Sequence, residues 1–328
     1  MVDRLGRKLL FSIGLGAIVF LALSLFVDFE HLAAAFSTFE WRYLIAALFL
    51  AAVNYCVRYV RWHLYVRRLG IPLPAGESMV VFMAGLILSV TPGKAGEVLK
   101  AFLVKARTGT PVSRGAAAVF AERVTDFISL ILLASIGILS SRQSPWLLVL
   151  SLAGLLGLTL LVGLPGVVTG CLDRAERLPL LARVCGPVRR GYEGARCLLS
   201  PLNLVWALGL ATVAWFAECL GFYFVLAGFG AGVGVVQSTF VYSFATIVGA
   251  LTMLPGGIGP TEGSMSGLLV LRGVELPVAV GATFVIRVCT LWFAVAVGAV
   301  AMFVAQGRLK GFRESSELYD SQGVQEGD

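Results

Sequence analysis

Six apolar runs, at residues 9–27, 43–59, 115–139, 146–164, 203–227 and 278–304, dominate the hydropathy pattern of the chain. A helix rises about 1.5 Å per residue and the hydrocarbon core of a bilayer is about 30 Å thick, so roughly 20 apolar residues cross it. Each run is predicted to be a spanning helix. The first, preceded by Arg4, Arg7 and Lys8, exceeds the roughly 7 to 15 residues of a signal-peptide core. Two further apolar stretches are interrupted: residues 78–91 stop at Pro92-Gly93, and residues 238–254 stop at Pro255-Gly256-Gly257-Ile258-Gly259-Pro260. Both resume beyond the break. The arms of the first would reach about 21 Å and 14 Å, too short to cross, which predicts a re-entrant hairpin. The first arm of the second would reach about 25 Å and could cross a thinned bilayer.

Basic residues decide between these topologies. With the N-terminus inside and both hairpins re-entrant, Arg61, Arg67, Arg68, Lys100, Lys105, Arg107 and Arg114 fall in cytoplasmic loops, as do the six arginines between Asp173 and Arg196, and Arg308, Lys310 and Arg313. Only Arg42, Arg142 and Arg272 fall outside. This satisfies the positive-inside rule, whereas a crossing first arm would export the basic C-terminus against it. The expected fold is therefore an all-α polytopic integral membrane protein of the cell inner (cytoplasmic) membrane, with about six spanning helices, two re-entrant broken-helix hairpins and both termini cytoplasmic. Residues 1–305 form the membrane domain, with a first half at about 41–140, a basic cytoplasmic linker at about 166–202 and a second half at about 203–305. Residues 306–328, whose last part 314–328 is acidic and rich in Ser, Gly and Gln, form an expected disordered cytoplasmic tail.

Composition excludes the soluble alternative. Of 328 residues 58% are hydrophobic and 14% charged, with mean hydropathy +0.88, against about a quarter charged in soluble domains. The net charge of +7 follows topology, so nucleic acid is not an expected partner. His31 and His63 share no metal-ligand spacing with the six scattered cysteines, which also form no disulfide framework.

The two interrupted segments match one another. Both read Pro-Gly, then Gly, then Glu, as Pro92-Gly93-Lys94-Ala95-Gly96-Glu97 and as Pro255-Gly256-Gly257-Ile258-Gly259-Pro260-Thr261-Glu262. Arg123 lies 31 residues after Pro92 and Arg287 lies 32 after Pro255, while Arg58 and Glu218 precede them by 34 and 37. Helix, broken hairpin and helix thus recur in opposite orientation, the pattern of an inverted repeat with a site near the midplane.

Four bases, Arg58, Lys94, Arg123 and Arg287, and five acids, Glu97, Glu122, Asp126, Glu218 and Glu262, fall within membrane depth. At about 2.5 to 3.5 kcal/mol each, exposing all of them to lipid would cost on the order of 27 kcal/mol, so they pair or line a wet cavity. Glu122 and Asp126 stand at i and i+4 on one helical face with Arg123 beside them. That stripe is either a staple between packed helices or a headgroup or coupling-ion site. Arg287, alone in its span, calls for Glu218, Glu262 or an anionic ligand. Gly93, Gly96, Gly256 and Gly259 either turn backbone amides towards a phosphate, with Lys94, Arg123 and Arg287 adding positive charge, or only reverse the chain. The segment holding Arg174, Arg177, Arg183, Arg189, Arg190 and Arg196 is basic and suits the anionic cytoplasmic leaflet, or serves as a topological determinant alone.

No serine elbow, His-Glu-x-x-His, Walker loop or complete Gly-x-Gly-x-x-Gly occurs. The expectation is a protein without catalytic residues, metal or cofactor. Gly263-Ser264-Met265-Ser266-Gly267 has Met265 where a nucleophile would stand and fits Gly-x-x-x-Gly helix packing better.

Arg61-Trp62, the Pro92–Glu97 segment, Glu122-Arg123-Val124-Thr125-Asp126 and Pro255-Gly256-Gly257-Ile258-Gly259 with Glu262, in this order, resemble the transmembrane flippase-like domain of the lysylphosphatidylglycerol synthase family over about residues 8–305. In two-part members a soluble domain makes the aminoacylated lipid and the membrane domain moves it between leaflets. This chain resembles a stand-alone member, which implies lipid handling without synthesis. Together the residues and the resemblance point to a translocase of a phosphate-bearing lipid, with Arg58, Glu97, Glu122, Asp126, Glu218 and Glu262 as ion-pair or coupling groups. An ion- or proton-coupled carrier of a small anion, and an accessory subunit of a lipid-modifying enzyme or glycosyltransferase, are the alternatives.

Overall fold

The computed structural model describes residues 29–90, 97–140, 170, 174 and 179–303. The predicted spans 9–27 and 146–164, the turn 91–96 with Gly93, Lys94 and Gly96, and the tail 306–328 lie outside the described residues. The rest is helical: α1 (Phe29–Ser37), α2 (Arg42–Arg68), α3 (Ala75–Leu86), α4 (Leu99–Thr108), α5 (Val112–Ser140), α6 (Pro179–Leu198), α7 (Pro201–Gly228), α8 (Val235–Leu251), α9 (Pro260–Val270) and α10 (Leu276–Phe303). No strand occurs among the described residues.

Length separates two kinds of helix. α2, α7 and α10 have 27, 28 and 28 residues and are apolar enough to cross a membrane, at about 40 Å each. α3, α4, α8 and α9 have 12, 10, 17 and 11 residues, or about 15 to 26 Å. The predicted runs 43–59, 115–139, 203–227 and 278–304 thus become α2, α5, α7 and α10, with polar ends added. α2 continues to Arg68 because its last turns bury Arg61, Trp62 and Tyr65, and Arg67 and Arg68 complement its negative C-terminal end.

In both interrupted segments the arms on either side of the break are helices that pack on one another. Gly249 on α8 faces Thr261 on α9 across the turn Pro255–Gly257, and Gly85 on α3 faces the stem of Lys100 on α4. Gly256 and Gly259 adopt φ of +61° and +97° at the second turn, a region that L side chains avoid. Pro260 then opens α9 at a position where its missing N–H costs nothing.

Each half has its own apolar core, one around Trp62, Tyr65, Phe82 and Leu86, the other around Trp215, Phe222, Phe240, Met265 and Ile286. The last helix of each half crosses to the other. Leu130 and Leu133 of α5 pack in the second core, and Ala294 and Met302 of α10 pack in the first. Glycine permits both crossings: Gly137 of α5 lies against the backbone of Phe240, and Gly298 of α10 against that of Ile87. Across the centre, α2 and α7 pack along one another.

The outer surface is apolar. Ile45, Leu202, Val205 and Phe303 are all more than two-thirds exposed, while arginines, glutamates and an aspartate are buried inside. A soluble protein would reverse that arrangement; for a helical bundle in lipid it is the expected one. The chain is an all-α multi-pass membrane protein. Gly263 and Gly267 have nothing within 4 Å of a Cβ placed on them among the described residues. Among the described residues their stripe on α9 makes no close helix packing.

Candidate functional site

Two charged clusters and a cavity occupy the centre. In the first half, α2 carries Arg58 and Arg61, the entry to α4 carries Glu97 and Lys100, and α5 carries Glu122, Arg123 and Asp126. Helical spacing aligns each set: Arg58 with Arg61 and Glu97 with Lys100 three residues apart, Glu122 with Asp126 four. Arg61 donates to Asp126 at 2.6 Å and to the Thr125 hydroxyl at 3.1 Å. Lys100 pairs with Glu122, 4.5 Å from the ring centroid of Trp62. Arg123 reaches Glu97 at 2.9 Å and Asp126 at 3.0 Å. Arg58 stands 4.0 Å from Glu97 and 3.9 Å from Asp126.

The second half is simpler. Arg287 donates through Nε to Glu262 at 2.6 Å and through Nη2 to the Gly256 carbonyl at 2.6 Å. Glu262 accepts with its other oxygen from the Gly259 N–H at 2.6 Å. One arginine thereby ties the turn and the second arm of the hairpin to α10. Glu218 on α7 accepts from the Tyr242 hydroxyl at 2.6 Å. Directly after Arg287, α10 makes a π-turn at Val288–Trp292, and within it the Thr290 carbonyl accepts from the Tyr55 hydroxyl at 2.8 Å. Such turns disturb the regular backbone ladder and recur at functional sites.

Between the halves lies a cavity of about 250 Å³. Arg58, Arg123 and Asp126 reach it from the first half, and Glu218, Tyr242, Gly256, Thr290 and Arg287 from the second. Tyr55, Phe127, Leu130, Trp215 and Leu291 complete much of the wall. The two hairpins meet beside it: Val90, at the end of the first arm, packs with Ile258 and Leu291. A Cβ on Gly256 would lie 3.5 Å from the Val90 Cα.

Arg123, Arg287 and Gly256 thus line the cavity, as do Arg58, Asp126 and Glu218. Glu97, Glu122, Glu262 and Gly259 stand behind it as partners or caps, and Lys94, Gly93 and Gly96 lie outside the described residues. Of the two acids open to Arg287, Glu262 holds it. The same span-arginine to hairpin-glutamate pair recurs as Arg123 with Glu97.

Residues 9–298 match the family described as the lysylphosphatidylglycerol synthase TM region. The chain belongs to that family. Two UPF0104 membrane proteins of Methanothermobacter thermautotrophicus are 27% and 24% identical over 316 and 315 residues, covering 89% and 88% of this chain and 92% and 93% of theirs. A UPF0104 membrane protein of Pyrococcus horikoshii is 23% identical over 289 residues, covering 79% of this chain and 86% of its own. The match to the family spans both charged clusters and the cavity between them.

Arg61 and Lys100 correct the sequence reading. Placed in cytoplasmic loops from the sequence, they are 0% and 2% exposed, because α2 and α4 carry them inward against the carboxylates of α5. Two signals pointed to them. Arg61 shares a helical face with Arg58, and five acids at membrane depth outnumbered the four bases assigned there. Trp215, Tyr55 and Tyr242 gave no signal, since an aromatic residue in an apolar run reads as core.

Proposed function

We propose that this protein is a lipid translocase of the cell inner membrane. In this reading a phosphate-bearing headgroup crosses through the cavity while its acyl chains stay in the bilayer. The observation that carries it is the convergence of Arg58, Arg123 and Arg287, from both halves, on one cavity with an aromatic and aliphatic wall. A volume of about 250 Å³ suits a headgroup, and buried guanidinium forks suit phosphate. The two hairpins are re-entrant, entering from opposite faces as parts of an inverted repeat, and the termini are cytoplasmic. Such repeats place their substrate site at the interface of the halves, where this cavity lies. Lys94, which lies outside the described residues, would add positive charge. The protein moves lipid without modifying it, and no cofactor takes part. The basic segment 174–196 rests on the anionic leaflet, and a lipid-modifying enzyme or glycosyltransferase is a partner class that would supply or consume the cargo.

The test is leaflet exchange of fluorescent phosphatidylglycerol and polyprenyl-phosphate analogues in proteoliposomes, with and without a pH gradient. Wild type is expected to exchange at least one analogue, and Arg123→Ala, which removes a cavity guanidinium, to lose most of that rate. Folded wild-type protein that exchanges none overturns the reading. It would shift support to a carrier of a small soluble anion, assayed in the same vesicles by phosphate uptake.

A further inference from the structure

The three arginines at the cavity are engaged very differently. Arg123 holds two carboxylates at 2.9 and 3.0 Å, and Arg287 holds a carboxylate and a carbonyl, both at 2.6 Å. Arg58 is 6% exposed and its carboxylate neighbours stand at 3.9 and 4.0 Å, while its Nε, like the Nε and Nη2 of Arg123, makes no hydrogen bond among the described residues. A guanidinium carries five donors in a rigid fork, and a buried donor without an acceptor is costly. Arg287 spends Nε and Nη2 on protein groups, and Arg123 stands within close ion-pair distance of two carboxylates. Arg58 is held in place by other means, with its guanidinium 5.9 Å from the ring centroid of Trp215, a cation–π distance.

The surrounding charges reinforce the difference. Arg61 is bound to Asp126 and Lys100 to Glu122, and neither of these two cations lines the cavity. Counting Arg58, Arg61, Lys100 and Arg123 against Glu97, Glu122 and Asp126, the first-half network carries one positive charge in excess. Of its four cations, Arg58 and Arg123 line the cavity.

We propose that Arg58 is the anion-receiving residue of this site, taking two oxygens of a phosphate group in its fork, while Arg123 and Arg287 are clamps that hold the hairpins. The proposal rests on the translocase reading and assigns its recognition step to a residue that sequence reasoning placed only among the ion-pairing groups. The ligand class is a phosphate ester or inorganic phosphate, which present the same oxygens. Trp215 on the face of the guanidinium makes Arg58 a positioned receptor, and a lysine there would keep the charge but lose the fork.

The test is calorimetric titration of the full-length protein in detergent with dihexanoyl phosphatidylglycerol, inorganic phosphate and, as a phosphate-free control, dihexanoylglycerol. Wild type is expected to bind the phospholipid and not the control. Binding of inorganic phosphate in competition would identify a general phosphate site, and its failure to bind would identify one that requires the lipid; either is consistent with Arg58 as receptor. Arg58→Gln is expected to weaken binding at least about tenfold, and Arg58→Lys about fivefold, as loss of bidentate charge-assisted bonds implies. Thermal midpoints close to wild type would separate a receptor from a structural role. Wild-type affinity in Arg58→Gln, with binding lost in Arg123→Gln, overturns the assignment and leaves the translocase reading standing. If Arg58→Gln does not fold, Arg58→Lys decides, and an unchanged affinity there also overturns it. If wild type binds neither phosphate probe, the translocase reading fails together with the assignment.

Discussion

In the first half, four cations and three carboxylates from α2, α4 and α5 share one network, so that every charge there faces more than one partner. In the second half, Arg287 alone joins Glu262 and the Gly256 carbonyl, and Glu218 is met by a tyrosine hydroxyl. The order of elements is alike in the two halves, a long helix, two short ones and a long helix, yet buried charge is spread in one and concentrated in the other. A shared network resists the loss of geometry but collapses when a central member goes. A single clamp can open by breaking one ion pair and one hydrogen bond. The first half is therefore suited to be the fixed wall of the cavity and the second hairpin to be the element that moves.

Arg61→Gln is the strongest way to break this contrast. Removing one partner of a buried pair leaves the other charge uncompensated, so it is expected to cost about 3–5 kcal/mol. The measurement is the thermal midpoint in detergent, read as loss of the monodisperse peak on size-exclusion chromatography. A variant as stable as wild type would show that the first-half network does not hold the wall together. Glu262→Gln acts on the other side. The amide oxygen can still accept from the Gly259 N–H, and Arg287 keeps the Gly256 carbonyl, so the expected cost is smaller, about 1–3 kcal/mol. If it destabilises as much as Arg61→Gln, the second half is no more easily opened than the first. Increased protease cleavage near Pro255–Gly257 with little change in midpoint would sharpen the contrast, because it places the opening in the hairpin.

The same residues mark what was legible in the sequence. The breaks at Pro92-Gly93 and Pro255-Gly256 announced two interrupted helices, since neither dipeptide continues a helix, and the described arms on either side of each are helical. The i and i+4 acids of α5 announced a polar face, and the isolation of Arg287 required a partner. What periodicity could not supply was where a polar helix end goes. Arg61 and Lys100 lie beyond the apolar runs, in stretches whose composition reads as a cytoplasmic rim, and only the packing of α2 and α4 on α5 carries them inward. The choice between Glu218 and Glu262 for Arg287 was equally a matter of three dimensions. Glu262 lies 25 residues away, on the helix before α10, and its capping of Gly259 aims it at α10.

The smallest expected effect concerns the second arms of the hairpins. In the first half, Gly115 of α5 packs on α4 so closely that a Cβ would lie 2.9 Å from the Ala101 Cα. Gly115→Ala should therefore destabilise, by about 1–3 kcal/mol for overpacking. In the second half, Gly263 and Gly267 of α9 have no close neighbour among the described residues, and alanine in a helix interior is favoured over glycine by about 1 kcal/mol. Gly263→Ala with Gly267→Ala should raise the thermal midpoint slightly and leave the oligomeric state unchanged. A fall in midpoint or a change in oligomeric state would mean that another helix packs on this face. The second arm would then be fixed as firmly as α4, and its freedom to move, on which the contrast between the halves turns, would be lost.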